Sequence, residues 1–335
     1  MRIRTRGRHL AGVACFATET AIRVITIRCT RSRGPRGFFC LQVDRRGPVI
    51  VDVMRLNKQM ANTESDPFTL LCRHLVALTG TYVIAPPEQR QSFREIGVPP
   101  DAERIHYTFS ALPVVFDDEW YILTAGHAVI PYVEAIQTEK IFSTGGALLD
   151  SLASGDVDSK WIPFEIADFC EYMIDDESLG LDYAMLKLSS NHTALIQTRN
   201  VLPLFLTPNE SEHIRNDPRC ILAGMPSEFG ELLNTEPSKR NEIFLRPTTI
   251  PLERKGDDQL PFPRLVGTIK TMDDLQSIVG TSGGPIFQFG NDQYTAVAVQ
   301  SRWHEPSRTV YASQTTEICK HFASVMANKS GDNDA

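Results

Sequence analysis

Three short strings of the sequence carry the side chains that nucleophilic acyl transfer needs. A serine lies in 280–285 (GTSGGP), a histidine in 124–127 (TAGH) and an aspartate in 180–186 (GLDYAML). A serine hydroxyl becomes a strong nucleophile when an imidazole takes its proton, and a buried carboxylate orients that imidazole. The order along the chain is histidine, aspartate and serine, with separations of 55 and 100 residues.

The serine string is the most specific of the three. Glycines on both sides of Ser282 permit the positive φ and close approach that a sharp turn around a nucleophile requires. Two backbone N–H groups aimed at the oxyanion of a tetrahedral intermediate are worth roughly 2.7–4 kcal/mol each. The string also fits the G-x-S-x-G elbow of α/β-hydrolases, but that elbow must run directly into a helix. Pro285, followed by Ile286 and Phe287, is a poor helix start, so an esterase of that type is disfavoured.

Together the three strings resemble the trypsin/chymotrypsin family of serine peptidases, over roughly Tyr107 to Tyr311. The resemblance implies that Ser282 is the nucleophile and that His127 is the general base and then the general acid. It also implies that the amides of Gly280 and Ser282 form the oxyanion hole. No metal and no organic cofactor is implied.

Asp182 is the predicted third member, because it lies in the family's Asp-x-Ala-x-Leu string. Asp168 is the alternative acid, and its surroundings do not match that string. Gly126 departs from the alanine that usually precedes the family's histidine, and we expect it to loosen the backbone beside the base.

The resemblance also predicts substrate-binding residues and the mode of activation. The residue six before the nucleophile is Gln276, with Ser277 beside it, and Ser301 is the third predicted substrate-binding residue. The base of the specificity pocket should therefore be uncharged and prefer neutral side chains. Thr281 stands where secreted members carry an aspartate that pairs with a freed N-terminus, so we expect Thr281 to bond locally and the oxyanion hole to form on folding.

The pattern of the chain predicts an all-β fold with two six-stranded antiparallel β-barrels of the chymotrypsin type and helical N- and C-terminal extensions. A hairpin of Tyr107–Phe116 and Trp120–Thr124 should deliver His127 just beyond its second strand. Helical spacing predicts helices at 66–77 and 315–326. The predicted organisation is as follows: 1–60, a basic segment; 61–100, a helical extension; 101–198, the first barrel with His127 and Asp182; 199–312, the second barrel with Ser282; and 313–335, a helix and tail.

Charge divides the chain unevenly. Residues 1–60 hold 13 of the 34 basic and three of the 41 acidic residues, which gives +10 there and −17 in the remainder. The acidic body argues against a nucleic-acid partner. We interpret the basic segment as disordered, or as preceding a true translation start near Met54 or Met60. The alternative is a targeting segment. We expect residues 1–60 to be dispensable. No apolar run is long enough to span a membrane.

The seven cysteines are widely spaced and form no CxxC pair, and Ala128 stands where secreted animal members carry a cysteine. The pattern indicates free thiols and a cytoplasmic protein, or a secreted or organelle-targeted one if the N-terminus is a targeting segment. We predict a serine endopeptidase acting on polypeptides. The alternative is a protein of the same fold that binds without cleaving.

Overall fold

The computed structural model describes residues within the compact unit that spans residues 65–335. The described ranges are 67–99, 101–150, 162–199, 201–208, 219–226, 231–232, 243–244, 247–272, 275–290 and 293–331. The predictions made for residues 1–60 and for the polar tail at 332–335 lie outside these ranges.

The first part of the described chain contains eight strands and five helices. They are α1 (Pro67–Cys72), β1 (Val76–Ile84), α2 (Arg90–Ile96), β2 (Ile105–Phe116), β3 (Glu119–Thr124), α3 (Gly126–Gln137), β4 (Ile141–Asp150), β5 (Ile162–Pro163), α4 (Ile166–Phe169), β6 (Cys170–Asp176), β7 (Leu181–Lys187), α5 (Ser190–Gln197) and β8 (Leu204–Phe205).

The second part contains eight strands, a short 3₁₀ turn and one long helix. They are β9 (Arg219–Gly224), β10 (Glu231–Leu232), β11 (Ile243–Phe244), β12 (Thr248–Asp257), β13 (Arg264–Ile269), β14 (Pro285–Gly290), β15 (Gln293–His304), the 3₁₀ turn Glu305–Ser307, β16 (Thr309–Gln314) and α6 (Thr315–Gly331).

The second part forms a closed antiparallel barrel, in the order β12-β13-β16-β15-β14-β9. Its interior is lined by apolar side chains of all six strands, among them Leu222, Leu252, Leu265, Ile286, Val297 and Val310. β10 and β11 form a separate two-stranded ribbon. The predicted all-β fold class and the predicted six-stranded second barrel are confirmed.

The first part is also an antiparallel sheet, but it is not closed. Its strands follow the order β5-β4-β1-β2-β3-β7-β6, and β8 joins β2 in parallel. Helix α3 packs Val129, Tyr132 and Val133 into the apolar core of this sheet, against side chains such as Leu148 and Leu186. A helix therefore packs against an open sheet, where the sequence predicted a six-stranded closed barrel.

The predicted N-terminal extension is only partly helical. Helix α1 ends at Cys72, and strand β1 begins at Val76, where the sequence predicted a helix to continue to Ala77. β1 pairs with both β2 and β4, so it is a central strand of the first sheet. Leu75 and Leu78 fit helical spacing, but a short apolar run cannot distinguish a helix from a buried strand.

Two local predictions are confirmed. The hairpin is formed by β2 and β3, and its turn places Asp117 and Asp118 at φ 51 and 63. The C-terminal helix starts at Thr315 as predicted and continues to Gly331. Its Ile318 and Phe322 are buried in a cluster that also contains side chains of the first sheet and of β15.

Two further expectations concern disulfide bonds and membrane-spanning segments. The four described cysteines, Cys72, Cys170, Cys220 and Cys319, form no disulfide bond with one another. None of the described helices has the length and apolarity that crossing a membrane requires.

Candidate active site

The structure brings together the three side chains that the sequence singled out. His127 lies in the first turn of α3, Asp182 is the second residue of β7, and Ser282 lies in the turn that precedes β14. The distance from His127 Nδ1 to Asp182 Oδ2 is 2.6 Å, and from His127 Nε2 to Ser282 Oγ it is 3.2 Å. Both ring nitrogens are thus engaged, one by a carboxylate and one by a hydroxyl.

A single carboxylate fixes His127 in two ways. Asp182 Oδ2 faces the ring, while Asp182 Oδ1 accepts the backbone N–H of His127 at 2.8 Å. That N–H is one of the amides at a helix start that have no partner within the helix, and a negative charge there is favourable. Asp182 is 4% exposed, whereas the His127 side chain is 32% exposed. The carboxylate is therefore enclosed, and the imidazole is open to a substrate.

The second part of the fold holds Asp182 through its backbone. Asp182 N–H donates to Ser313 Oγ at 3.1 Å, and the same hydroxyl lies 3.4 Å from the Asp182 carbonyl oxygen. Ser313 is on β16 and is 1% exposed. The start of β7 is thus tied to the barrel at the residue that faces the imidazole.

Gly126 has a packing role that differs from the predicted loosening. A Cβ at this position would lie 2.0 Å from the carbonyl oxygen of Ile174 on β6 and 3.0 Å from that of Tyr183 on β7. Only glycine lets the start of α3 approach these two strands so closely. The residue that departs from the family's string therefore allows the helix carrying His127 to sit directly on the sheet.

The turn around Ser282 is built from local hydrogen bonds. Thr281 is buried, and its hydroxyl donates to the Ile278 carbonyl oxygen at 2.8 Å. Its own carbonyl oxygen accepts the N–H of Gly284 at 2.7 Å. The expectation that Thr281 bonds locally is confirmed, and the turn is closed without a buried ion pair at this residue.

The turn leads directly into strand β14, beginning at Pro285. The α/β-hydrolase elbow, which requires a helix after the nucleophile, is therefore ruled out.

The amides of Gly280 and Ser282 are those that the sequence resemblance assigns to an oxyanion hole. Gly280 has φ +94, in the region that favours glycine, and its carbonyl oxygen accepts the hydroxyl of Ser110 at 3.0 Å. Ser110 Oγ also accepts the N–H of Met225 at 2.8 Å. Within the described part of the chain, neither the Gly280 nor the Ser282 N–H donates a hydrogen bond. Both amides are left available for a ligand.

Gly283 lies at a close contact between the two parts of the fold. It has φ +85, and its Cβ would lie 2.1 Å from Thr124 Oγ1 and 2.2 Å from the Ser110 carbonyl oxygen. Its N–H donates to the Gln300 carbonyl oxygen at 2.9 Å. Thr124 and Ser110 belong to the first sheet and Gln300 to the barrel, so the glycine fits between them.

The other predicted site residues occupy varied positions. Asp168, the alternative acid, is exposed on α4. Gln276 is exposed and Ser277 is half-buried, accepting the N–H of Val279 at 3.2 Å. Ser301 is buried, and its hydroxyl donates to the Tyr311 carbonyl oxygen at 2.9 Å, which commits that side chain to the barrel wall.

Sequence reasoning missed Ser110 and Ser313. Each is a single serine inside a strand, with no glycine string or local spacing to mark it, and each acts on a residue more than 100 positions away. Only the pairing of strands brings them to the site. Among the described residues, no group of three His, Cys, Asp or Glu side chains could hold a metal ion.

No protein-family profile matches the chain, and no curated protein matches it in sequence. Solved structures are similar to it in overall strand arrangement. A thermostable serine protease, AL20, from an extremophilic microorganism is 11% identical, with a TM-score of 0.42, over 76% of this chain and 98% of that one. A serine endoprotease from Yersinia pestis is 13% identical, with a TM-score of 0.41, over 79% and 68%. Human heparin binding protein is 16% identical, with a TM-score of 0.41, over 79% and 95%. With TM-scores below 0.5, these likenesses establish neither an activity nor a site for this chain.

Proposed function

We propose that this protein is a serine endopeptidase. The observation that carries the proposal is the continuous contact from Asp182 Oδ2 through the His127 ring to Ser282 Oγ, at 2.6 and 3.2 Å. In that arrangement the Nδ1 proton is held by the carboxylate, and Nε2 is free to take a proton from the hydroxyl. The proposed substrate is a polypeptide, in keeping with the sequence resemblance.

The reaction follows from these contacts. Ser282 Oγ attacks the scissile carbonyl carbon while its proton passes to His127 Nε2, and the carbonyl oxygen becomes an oxyanion between the Gly280 and Ser282 amides. The imidazolium, stabilised by Asp182, then gives its proton to the leaving amine as the C–N bond breaks. Water, deprotonated by the same imidazole, attacks the acyl carbon; the C–O bond to Ser282 then breaks as the imidazolium returns its proton to Ser282 Oγ, and the acid leaves.

Activation by a freed N-terminus is not part of the proposal. Such activation places an ammonium beside the residue before the nucleophile, and burying that charge unpaired costs several kcal/mol. Thr281 offers no charge, and its hydroxyl already bonds to Ile278. We infer that the oxyanion hole forms on folding.

Covalent labelling by a fluorophosphonate tests the proposal. The probe phosphonylates a serine that an imidazole activates, so the full chain should label, and Ser282→Ala should abolish labelling. Retained labelling in Ser282→Ala would place the reactive serine elsewhere. A folded wild-type protein that does not label would favour the alternative, a protein of this fold that binds polypeptides without cleaving them.

A further inference from the structure

Two buried polar atoms on strand β15 lack hydrogen-bond partners in the described structure. They are Oε1 of Gln300, an acceptor, and Nε1 of Trp303, a donor. Gln300 as a whole is 2% exposed. Leaving a buried polar group unpaired costs about 1–3 kcal/mol, so most such groups in folded proteins have partners. An unpaired acceptor and an unpaired donor on one strand therefore indicate a ligand that forms a hydrogen bond with each of them.

The strand pairing places both side chains on the inner face of the barrel. Gln300 is opposite Ala312 and Trp303 is opposite Val310, and both of these partners belong to the barrel core. An irregularity between Gln300 and Arg302 keeps the two on one face although they are three residues apart. The guanidinium of Arg302 instead bonds to Asp175 at 2.9 Å.

The same stretch of β15 lies directly against the turn that carries the nucleophile. Gln300 N–H donates to the Gly284 carbonyl oxygen, and the Gln300 carbonyl oxygen accepts the Gly283 N–H, both at 2.9 Å. Ile278, which precedes the turn, is part of the core cluster against which Trp303 packs. Gln300 thus lies next to the turn that carries Ser282, and Trp303 packs against the same barrel core as Ile278.

We propose that Gln300 and Trp303 determine specificity by binding the carboxamide of a glutamine or asparagine side chain on the acyl side of the scissile bond. This inference rests on the proposed peptidase function. A carboxamide brings an NH₂ donor for Gln300 Oε1 and a carbonyl acceptor for Trp303 Nε1. An aliphatic side chain satisfies neither atom. A carboxylate has no donor for Oε1, and the nearby cation of Arg302 is already bonded to Asp175.

A peptide library varied at this one position tests the proposal. We expect kcat/KM for glutamine or asparagine to exceed that for leucine by at least about 10²-fold, since sites built for hydrogen bonds reject analogues that lack them. A preference for leucine, arginine or lysine would overturn the proposal. A preference for glutamate would also overturn it, because the Gln300 amide would then present its NH₂ group beside the indole.

Variants separate the two contacts from general damage. Gln300→Leu should lower the glutamine-to-leucine ratio of kcat/KM by at least about 10²-fold, and Trp303→Phe, which keeps a ring without the N–H, by about 10-fold. The matched control is Gln314→Leu. Gln314 is another buried glutamine of the barrel, but its NH₂ donates to the Pro263 carbonyl oxygen at 3.0 Å, so the ratio should not change. An unchanged ratio in Gln300→Leu, or an equal fall in Gln314→Leu, contradicts the proposal.

Fluorophosphonate labelling distinguishes failure of the specificity inference from failure of the proposed peptidase function. Wild-type protein that labels and cleaves without carboxamide preference refutes this inference alone. Folded wild-type protein that neither labels nor cleaves refutes the peptidase function on which it rests.

Discussion

The two parts of the fold differ in closure and in what they contribute to the site. The first sheet is open, packs against helix α3 and carries the proposed acid, while α3 carries the proposed base. The second is a closed barrel and carries the proposed nucleophile in a turn held by its own hydrogen bonds. A closed barrel has no free edge, so its turns are firmly placed. The open sheet has to be positioned by other contacts.

Those contacts run in both directions between the parts. Ser313 of the barrel bonds to the backbone of Asp182 in the sheet, while Ser110 of the sheet bonds to the carbonyl oxygen of Gly280 in the barrel. Each part therefore fixes a peptide of the other at the reacting centre. Because the first sheet is open, the geometry of the site depends on the contacts between the two parts as well as on the structure of each part.

The largest effect on kcat should come from removing the proposed nucleophile or the proposed base. Ser282→Ala and His127→Ala should each lower kcat by about 10⁶, because each removes a member of one reacting unit. The double variant should be little worse than either single variant. Steady-state kinetics on a cleaved peptide measures this, and strictly multiplicative losses would show that the sheet and the barrel contribute independently.

The next effect tests the acid of the open sheet. Asp182→Asn should lower kcat by about 10⁴, because an amide can hold the imidazole in the wrong tautomer. Asp168→Asn is the matched control, since Asp168 is an exposed acid of the same sheet region, and kcat should stay unchanged. The opposite result, with activity kept in Asp182→Asn and lost in Asp168→Asn, would identify Asp168 as the acid.

A smaller effect tests the contact that the sheet makes with the oxyanion hole. Ser110→Ala removes the hydroxyl that holds Gly280, and we expect kcat to fall by about 10-fold, equivalent to one hydrogen bond, with little change in KM. Thr79→Val is the matched control, because Thr79 is a buried hydroxyl of the same sheet that donates to the Tyr107 carbonyl oxygen. It should lower stability alone, and an equal fall in kcat would make the Ser110 effect a general one.

A contact between the two parts that lies outside the site should affect the stability of the protein and have the smallest effect on catalysis. His74 Nδ1 donates to the Leu202 carbonyl oxygen at 2.8 Å, and Nε2 accepts the hydroxyl of Tyr294, on β15, at 2.9 Å. The pKa of His74 is lowered to about 4, chiefly by burial, with a smaller lowering from the charge of Arg73; the hydrogen bond to Leu202 opposes the shift.

Because the folded pKa of His74 lies below its ordinary value of 6.5, the unfolded chain binds this proton more readily. The stability is complete above about pH 6.5 and is lost as the pH falls toward 4, by roughly 3 kcal/mol in all. Urea unfolding at several pH values measures the loss. In His74→Gln this part of the pH dependence should disappear, and its persistence would assign the loss to other groups.

The sequence predicted what is local and missed what depends on docking. The strings around His127, Asp182 and Ser282 carry their own turn and strand signals, so the meeting of these three side chains could be predicted residue by residue. The open edge of the first sheet could not be predicted, since it depends on how α3 packs against distant strands. For the same reason Gly126 was read as loosening the backbone, although its close approach to Ile174 is set by strand β6, far along the chain.

The hydroxyl of Ser110 has a consequence for the order of folding. One oxygen joins Ser110, Met225 and Gly280, which are as far as 170 residues apart in sequence. Contacts over such separations form only after the intervening chain has been brought together. A chain with one part folded and the other still unfolded therefore lacks the contacts that hold the proposed oxyanion hole. Under the proposed function, we therefore expect the active geometry to form late in folding, which would protect partly folded copies of the chain from cleaving one another.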